Sequence, residues 1–381
     1  SVNLPAGTAG DVVAIKDYAK TFDTNAVTLV QNGSDKIGGS TVNAILSTEG
    51  LAVTLIYIDS TQGWLVTDDG LQSVANTNPY MVATGGTETT SGNCKIHTFT
   101  GPGTFCVSKA ALAAADNLVS YMVVGGGGGA GTGSNIANQS SGGGGGAGGF
   151  REVISPSSPY SGSPLNGYPN APNRITVTVQ GYPIDVGSGG AGGIQCGPFS
   201  AGFTGTIGAV STFSSITGAG GGAGGSGGSA DAGQGASGGG GGAQDCGATG
   251  NTPPVSPAQG TNGSAGASDA GGAGGGATVA SSNATNENGA DGGAGATTSI
   301  NATPTAYAGG GGGAGETTKG CGGAGGGGAG FTNGSNGSGS GVAGTANTGG
   351  GGGGAHSNSN PTPTSGGNGG SGVIIIRYRY Q

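Results

Sequence analysis

The chain offers few side chains that could carry out catalysis, and its two histidines are the first to consider. His97 lies in a predicted strand, so we interpret it as a structural residue. His356 lies in the segment GAHSNSNPTPTSGG, which we predict to be an exposed loop without an acidic partner nearby in the sequence. A serine–histidine–aspartate triad requires a geometry that no spacing here supports. Asp and Glu residues beyond position 120 are scattered, so a glycan-cleaving carboxylate pair is not indicated either. We therefore expect no enzymatic activity.

Cofactor motifs are equally weak. GxGxxG matches arise by chance in a chain with 98 glycines, and none of them opens a predicted amphipathic helix. Isolated acids such as Asp231 and Asp245 make a poor calcium site. The cysteines contain no CxxC pair, which argues against zinc, and their odd number cannot form a closed disulfide set. We interpret them as free thiols: Cys94, Cys106, Cys196, Cys246 and Cys321. The sequence thus predicts neither metal nor organic cofactor.

Recognition by loops is the chemistry that remains. The loop Ser155–Asn173 carries Tyr160, Tyr168 and five prolines. Proline restricts a loop, and tyrosine gives a flat amphipathic surface that suits sugars or protein edges. Three further loops have similar character, and the alternative that all four are connectors or trimer contacts stays equally open. The candidate receptor-binding residues are Tyr160, Tyr168, Phe199, Phe203, Tyr307 and His356.

Composition divides the chain near residue 120. Residues 1–120 contain 13 of the 98 glycines and 15 of the 28 charged residues, so the remainder is glycine-rich and almost uncharged. The net charge is −8 and there is no basic cluster, which argues against binding nucleic acid or an anionic membrane surface. No apolar run reaches 18 residues, so we expect no membrane insertion.

Residues 1–72 are predicted to form a small β-rich module. Four strand-like runs, within 10–18, 25–33, 51–59 and 63–69, are separated by turn residues. In the run VTLIY both faces are rather apolar, which suggests that the outward face is also covered. Since a module of this size has a marginal core, a symmetric oligomer is a natural way to cover that face.

This module resembles a β-rich module that is common in bacteriophage tail-fibre and virion proteins. The family pattern begins with Asp-x-x-Gly, and this sequence departs from it with Asp17-Tyr18-Ala19-Lys20. The resemblance implies a trimeric fibre segment or a virion attachment module. The matching positions are Thr21, Phe22, Asn25, Asn32, Gly33, Ile37, Val53, Leu55, Tyr57 and Trp64.

Long glycine runs recur beyond residue 124, as in 125–129, 142–146, 238–242, 309–313 and 349–354. Flexible tracts are usually rich in charge, and this one is not. One ordered state suits such runs, namely extended left-handed helices with three residues per turn that bond to one another side by side. A Cβ on a neighbour-facing position would hold these helices apart, so only glycine fits there. We therefore predict a bundle of polyglycine II helices.

Such a bundle needs support, because ordering glycine costs about 1–2 kcal/mol per residue in backbone entropy. We predict that strands within 94–124, 174–186 and 372–380 pair in one sheet and clamp the glycine runs of 125–371. Residues 73–93 are predicted to be a linker, and 94–381 the glycine-rich domain. Residues 95–100 and 104–108 are read as a hairpin in which Cys106 faces Thr98, so that no Cys94–Cys106 disulfide forms.

The order of these motifs is similar to the glycine-rich domain of phage tail-fibre proteins, secreted bacterial proteins, and the anaplastic lymphoma and leukocyte tyrosine kinase receptors. The motifs are HTFTGPGTFCV, VSYMVVGGGGGAG, ITVTV and GGSGVIIIRY. This resemblance implies a jelly-roll-like β-sandwich with an inserted polyglycine II bundle. The chain also looks like the tail-fibre-tip adhesins of T-even-type phages, whose loops contact the host receptor.

The fold class expected is therefore all-β plus polyglycine II. We expect a structural virion fibre protein of a bacteriophage, an adhesin located on the virion whose distal loops bind a host glycan or outer-membrane protein. Its expected partners are two further copies of itself and other virion proteins, the latter through the N-terminal module. The alternative is a capsid decoration or head-fibre protein without receptor binding.

Overall fold

The structure, a computed structural model, describes residues 1–71, 79–134, 139–195, 202–228, 231–332, 337–357 and 363–381. The chain divides into two compact units, Ser1–Asn78 and Pro79–Gln381. Within the described residues the helical segments are two short 3-10 turns, and the other regular elements are β-strands, which confirms the all-β class. The two turns are Ala114–Asn117 and Ala171–Asn173.

The first unit contains two three-stranded sheets. One has the order β1-β3-β4, with β1 parallel to β3, and the other has the antiparallel order β2-β5-β6. The long strands β5 and β6 coincide with predicted runs. The strands are β1 Val2–Asn3, β2 Val12–Lys16, β3 Val27–Val30, β4 Ala44–Leu46, β5 Leu51–Asp59 and β6 Gly63–Leu71.

The core of the first unit forms around Trp64, whose ring is fully buried and meets Tyr57 edge-on at 5.4 Å. Because side chains alternate along a strand, the opposite face of β2-β5-β6 points away from this core. That face is apolar at several positions, with Val12 59% exposed and Ile58 43% exposed. The sequence-based expectation of two apolar faces therefore agrees with the side chains seen here.

The second unit contains two five-stranded antiparallel sheets, together with two two-stranded pairs. Sheet I has the order β16-β15-β13-β10-β7, and sheet II has the order β12-β11-β20-β9-β8. The strands are β7 Val82–Thr84, β8 Thr87–Ser91, β9 Cys94–Phe99, β10 Gly103–Lys109, β11 Ser120–Val124, β12 Phe150–Val153, β13 Gly181–Asp185, β14 Ile194–Gln195, β15 Ser211–Phe213, β16 Ile216–Gly218, β17 Ala296–Thr298, β18 Thr305–Tyr307, β19 Thr364–Ser365 and β20 Val373–Arg379.

Sheets I and II share one hydrophobic core. Phe105 and Phe213 of sheet I meet edge-on at 6.2 Å, and Phe213 also packs on Tyr121 of sheet II. Alternate residues of β20, including Ile374 and Ile376, point into this core. On the outer face of sheet II, Val373 and Ile375 of β20 belong to a second cluster, to which the β17-β18 pair contributes Ala296 and Tyr307. Sheet II is thus buried on both faces, which explains the almost continuous apolar run of β20.

Two sequence-based assignments in this unit need correction. Residues 95–100 and 104–108 do not form a hairpin, because β9 lies in sheet II and β10 lies in sheet I. Cys106 therefore pairs with Thr84 and Gly181 rather than facing Thr98. The predicted strand 174–186 is regular only over β13, which also belongs to sheet I, so the three clamping segments do not share one sheet. Strands β11 and β20 do pair directly, from Ser120 to Val124.

Part of the segment 73–93, which was predicted to be a linker, belongs to the sheets of the second unit. Residues 72–78 lie outside the described part of the chain. Residues 82–84 and 87–91 form β7 and β8, which complete the edges of sheets I and II. Strand β7 has only three residues and β8 is Thr-rich, so neither carries a long apolar run and both gave little strand signal in the sequence.

The glycine runs form a hydrogen-bonded assembly, the glycine bundle, from the segments between Gly125 and Gly372. Consecutive residues of the first run donate in rotation to three neighbouring segments, so that every third residue returns to the same neighbour. The bonds are 2.9 to 3.0 Å long. Gly125, Gly128 and Gly131 donate to residues 149, 146 and 143; Gly126, Gly129 and Thr132 donate to 209, 206 and 203; Gly127 and Ala130 donate to 370 and 367.

The absence of a side chain is a packing requirement in this run. A Cβ built on Gly127 would lie 2.1 Å from the carbonyl oxygen of Gly350, and one on Gly128 would lie 2.0 Å from that of Gly222. Real Cβ atoms do not approach a carbonyl oxygen this closely, so the neighbouring segment would have to move. Strand β11 therefore continues into an ordered segment that admits only glycine at these positions.

Candidate recognition surfaces

The loop Ser155–Asn173 is fastened to sheet II by the buried carboxylate of Glu152 on β12. Glu152 Oε2 accepts hydrogen bonds from the backbone N–H of Ser163 at 2.8 Å and from its hydroxyl at 2.6 Å. Glu152 Oε1 accepts from the hydroxyls of Tyr160 at 3.1 Å and Thr298 at 2.5 Å. One buried side chain thus links the loop, β12 and β17, and it fixes the loop rather than leaving it free.

Tyr160 is therefore part of the support of this loop rather than a projecting contact residue. Its ring is half-buried, and the guanidinium of Arg377 lies 5.5 Å from the ring centroid. Burial, together with the nearby charge of Glu152, raises the pKa of the Tyr160 hydroxyl well above its ordinary value. The hydroxyl is thus a permanent donor to Glu152.

The far end of the same loop is held by Asn173. Its backbone oxygen accepts a 2.6 Å hydrogen bond from the Tyr121 hydroxyl, and its side-chain oxygen accepts one from Arg151 at 2.7 Å. Tyr168 is half-buried against the shared core of sheets I and II, and the guanidinium of Arg174 lies 4.4 Å from its ring centroid. Tyr168 and Arg174 form a cation–π pair on the loop surface.

Of the other sequence-predicted residues that the structure describes, only Phe203 is exposed, at 46%. Its backbone is fixed, because its N–H and C=O both bond to Thr132. Phe199 lies outside the described residues. Tyr307, predicted to lie on a recognition loop, is instead buried at the end of β18 within the second hydrophobic cluster. The β17-β18 pair packs Tyr307 against sheet II, so the ring cannot contact a receptor in this structure.

His356 is also not in an exposed loop, contrary to the sequence-based expectation. The side chain is fully buried at the edge of the glycine bundle, and its backbone bridges Ser141 and Gly339. The Ser141 hydroxyl donates to the carbonyl of Asp269 at 2.6 Å, so His356 Nδ1 must donate to that hydroxyl, at 3.0 Å. The Nε2 atom is then an acceptor, and it has no hydrogen-bond partner within the described residues. Burial lowers the pKa of His356 and favours this neutral form.

His97 is a structural residue, in line with its place on a strand. Its Nδ1 contacts the carbonyl oxygen of Gly85 at 2.7 Å, and its Nε2 contacts the hydroxyl of Tyr378 at 3.3 Å. Burial lowers the pKa of His97 as well. Cys196 lies outside the described residues. The other four cysteines are free, with Cys94 buried and Cys106, Cys246 and Cys321 exposed, so only one of these four serves as a small core residue.

A groove of about 630 Å³ lies beside the Pro156–Pro159 segment, at the end of β9 and β20. Arg377 and Arg379 line it together with Asn93 and Ser157. The sequence analysis did not single out either arginine, because VIIIRYRY was treated only as a strand. Strand alternation was the available signal, since it places both arginines on the same face as Val373 and Ile375.

In the described residues, no three His, Cys, Asp or Glu side chains come together as metal ligands would. The same part of the chain also has no helix with the length and apolar character needed to cross a membrane.

A family model described as a glycine-rich domain matches residues 98–379, most of the second unit. The chain therefore belongs to the glycine-rich domain family. No curated protein matches the sequence significantly.

Proposed function

We propose that this chain is a structural virion fibre protein of a bacteriophage, in which a rigid glycine-rich knob presents loops to the host surface. The single observation that carries this proposal is the three-residue rotation of hydrogen bonds between glycine runs. Amides that bond to three neighbouring segments hold the runs in fixed positions, which a rigid display scaffold requires and a flexible tether does not.

The rotation is also what supports the assignment of the runs as polyglycine II helices. That helix has three residues per turn and no internal hydrogen bonds, so its amides point to three sides. Gly125–Gly129 fit this description, and none of them has a positive φ angle. We likewise assign the two facing antiparallel sheets to a jelly-roll-like sandwich, from which the helices extend.

The N-terminal unit is proposed to trimerise and to attach the knob to other virion proteins. The exposed apolar side chains of Val12, Ile58 and Val66 support this role, because burying them in an interface between copies would lower the free energy of the assembly. A trimer would bring three copies of each loop to one surface, so weak individual contacts would add up to strong attachment.

The proposed receptor is a glycan or an outer-membrane protein on the host surface. Of the predicted residues, Tyr168 and Phe203 retain accessible surface for this role. Tyr160 contributes through the shape of its loop, and Tyr307 and His356 contribute only to the scaffold. The fastening of the 155–173 loop by Glu152 favours binding, since an ordered loop loses little entropy on contact.

The test is retention of the purified, fluorescently labelled full chain on a panel of bacterial strains. We expect retention on a subset of strains that is also infected by the phage whose genome encodes the chain. The control is the same protein after thermal unfolding, which should not be retained. Uniform retention on every strain, or none on susceptible ones, would contradict the adhesin proposal.

The second candidate is a capsid decoration or head-fibre protein without receptor binding, and the rigid scaffold alone is compatible with it. Gold-labelled antibodies on intact virions separate the two. Label at fibre tips supports the adhesin, and label on capsid faces supports decoration. Particles without any label would exclude both.

A further inference from the structure

The groove between β9, β20 and the Pro156–Pro159 segment holds an unusual concentration of positive charge. Two of the ten Lys and Arg residues of the whole chain line it, although the net charge is −8. In the pairing of β20 with β9, Arg377 lies opposite Ile96 and Arg379 lies opposite Cys94, so the guanidinium groups follow one another along one face of sheet II.

Arg377 is only 6% exposed, and its positive charge is not balanced in the usual way. Among the described residues, no Asp or Glu side chain lies within 4.0 Å of either guanidinium. The buried carboxylate of Glu152, on the same face of the sheet, is instead occupied by Ser163, Tyr160 and Thr298. A buried cation without an opposite charge is costly, so its retention calls for an explanation.

The donors of Arg377 are also incompletely used. Its Nη1 donates to the carbonyl of Ile300 at 3.4 Å, while its Nε is buried and has no hydrogen-bond partner in the described part of the chain. Its guanidinium carbon lies 5.5 Å from the ring centroid of Tyr160, within the range of a cation–π contact. Arg379 donates from Nε to the main-chain oxygen of Gln381 and from Nη2 to the Tyr80 hydroxyl, which leaves some of its five N–H groups free.

We propose that this groove binds the carboxylate or phosphate group of an anionic saccharide, with Arg377 and Arg379 as its anion-binding residues. The inference rests on the proposed function, for which it names the chemical class of the receptor. Planar guanidinium groups match carboxylate and phosphate oxygens in pairs. The volume suits a sugar unit, Asn93 and Ser157 offer polar contacts, and Pro156 and Pro159 offer apolar surface to a sugar face.

The test is ligand-observed NMR on the full chain with galacturonate and glucose 6-phosphate, each beside its neutral counterpart, galactose or glucose. We expect binding of the anionic sugars only, and weaker binding as ionic strength rises. Arg379→Gln should weaken binding at least about tenfold, because it removes charged hydrogen-bond donors. Arg174→Gln is the matched control, since that arginine also stacks on a tyrosine but lies outside the groove, and it should leave binding unchanged.

Arg377→Gln should abolish binding, and Arg377→Lys should restore only part of it, because lysine keeps the charge but not the planar fork. Since Arg377 is buried, the half-exposed Arg379 keeps the test valid if the Arg377 variants fail to fold.

Equal binding of neutral and anionic sugars, no binding of either anionic sugar, or unchanged binding by Arg379→Gln would overturn the inference. Inorganic phosphate binding as tightly as glucose 6-phosphate would refute a saccharide site. Retention of Arg379→Gln on host cells, with its sugar binding lost or absent, would reject the groove as the receptor site and leave the proposed adhesin function standing.

Discussion

Single residues decide whether the glycine bundle can form, and Gly127 shows why. The carbonyl oxygen of Gly350 occupies the place where a side chain would begin, only 2.1 Å from the position of a Cβ. Relief would require Gly350 to move away from Gly127, and its carbonyl oxygen would then lose the 2.8 Å hydrogen bond that it accepts from the N–H of Gly370. The sequence predicted this requirement correctly, because it follows from the composition of an unbroken glycine run.

Gly127→Ala is therefore expected to destabilise the second unit by about 3 kcal/mol, at the upper end of overpacking effects. The matched control is Gly101→Ala, since a Cβ there meets no atom within 4 Å and the φ angle is not positive. Thermal denaturation followed by circular dichroism would measure both variants. Equal melting temperatures for Gly127→Ala and the wild type would contradict the packing described here.

His356 gives the stability of the second unit a pH dependence. Burial lowers the pKa of His356 in the folded state, while Asp269 partly offsets that effect. The unfolded chain therefore takes up a proton near pH 6.5, where the folded protein does not. Stability is highest above this pH and falls, by at most about 1.4 kcal/mol per pH unit, as the pH drops toward the lowered folded value.

Urea denaturation of the wild type and His356→Asn, across this pH range, would measure the effect. Asparagine can replace the Nδ1 hydrogen bond to Ser141 but does not titrate, so the difference between the two proteins should shrink at low pH. His97 contributes a fall of the same sign in both proteins and cancels. A constant difference over the range would show that His356 is not buried in its neutral form.

At the scale of elements, the carboxylate of Glu152 joins a strand, a loop and a β-pair. We expect Glu152→Gln to cost about 2 kcal/mol, because the substitution removes the negative charge that strengthens all four hydrogen bonds and replaces one accepting oxygen with an amide nitrogen. Protease cleavage within 156–170 should become faster. Glu88→Gln is the control, since Glu88 is more exposed and, among the described residues, forms ion pairs only with Lys95 and, at 3.9 Å, His97, so its loss should cost less than about 1 kcal/mol.

The elements also show how far the sequence was informative. Strands β5, β6, β11 and β20 were predictable because β-branched runs lie between clear turn or glycine signals. The sequence did not show which strands pair with each other. A short turn such as 101–103 can lead either to an adjacent strand of the same sheet or to a strand of the facing sheet. The burial of His356 and Tyr307 was missed for the same reason, because the covering segments are distant in sequence.

For the whole molecule, protection of the glycine amides is the most direct measurement. Opening the first run requires breaking bonds to three different segments, so Gly125, Gly128 and Gly131 should exchange as slowly as the amides of β20. The turn at 101–103 should exchange rapidly by comparison. Hydrogen exchange with mass spectrometry or NMR would report both. Free-peptide exchange rates in the run would refute an ordered bundle.

The proposed trimer is a second property of the whole molecule. Sedimentation of the full chain is expected to give three times the monomer mass. The double substitution Val12→Lys and Ile58→Lys places charges on the exposed face of β2-β5-β6 and should yield monomers, while the fold is retained. Lysine at Val279, an exposed residue of the second unit, is the control. A wild-type monomer would exclude self-association through this face.

The rotation of amides among three neighbours has a consequence for insertions and deletions. Adding or removing three residues within a run advances the segment by one full cycle, so each remaining amide still meets its former partner segment. A change of one or two residues turns every later amide towards the wrong neighbour and directs the Cβ atoms of alanine or serine into occupied space. Insertions and deletions within a glycine run should therefore be tolerated only when their length is a multiple of three residues.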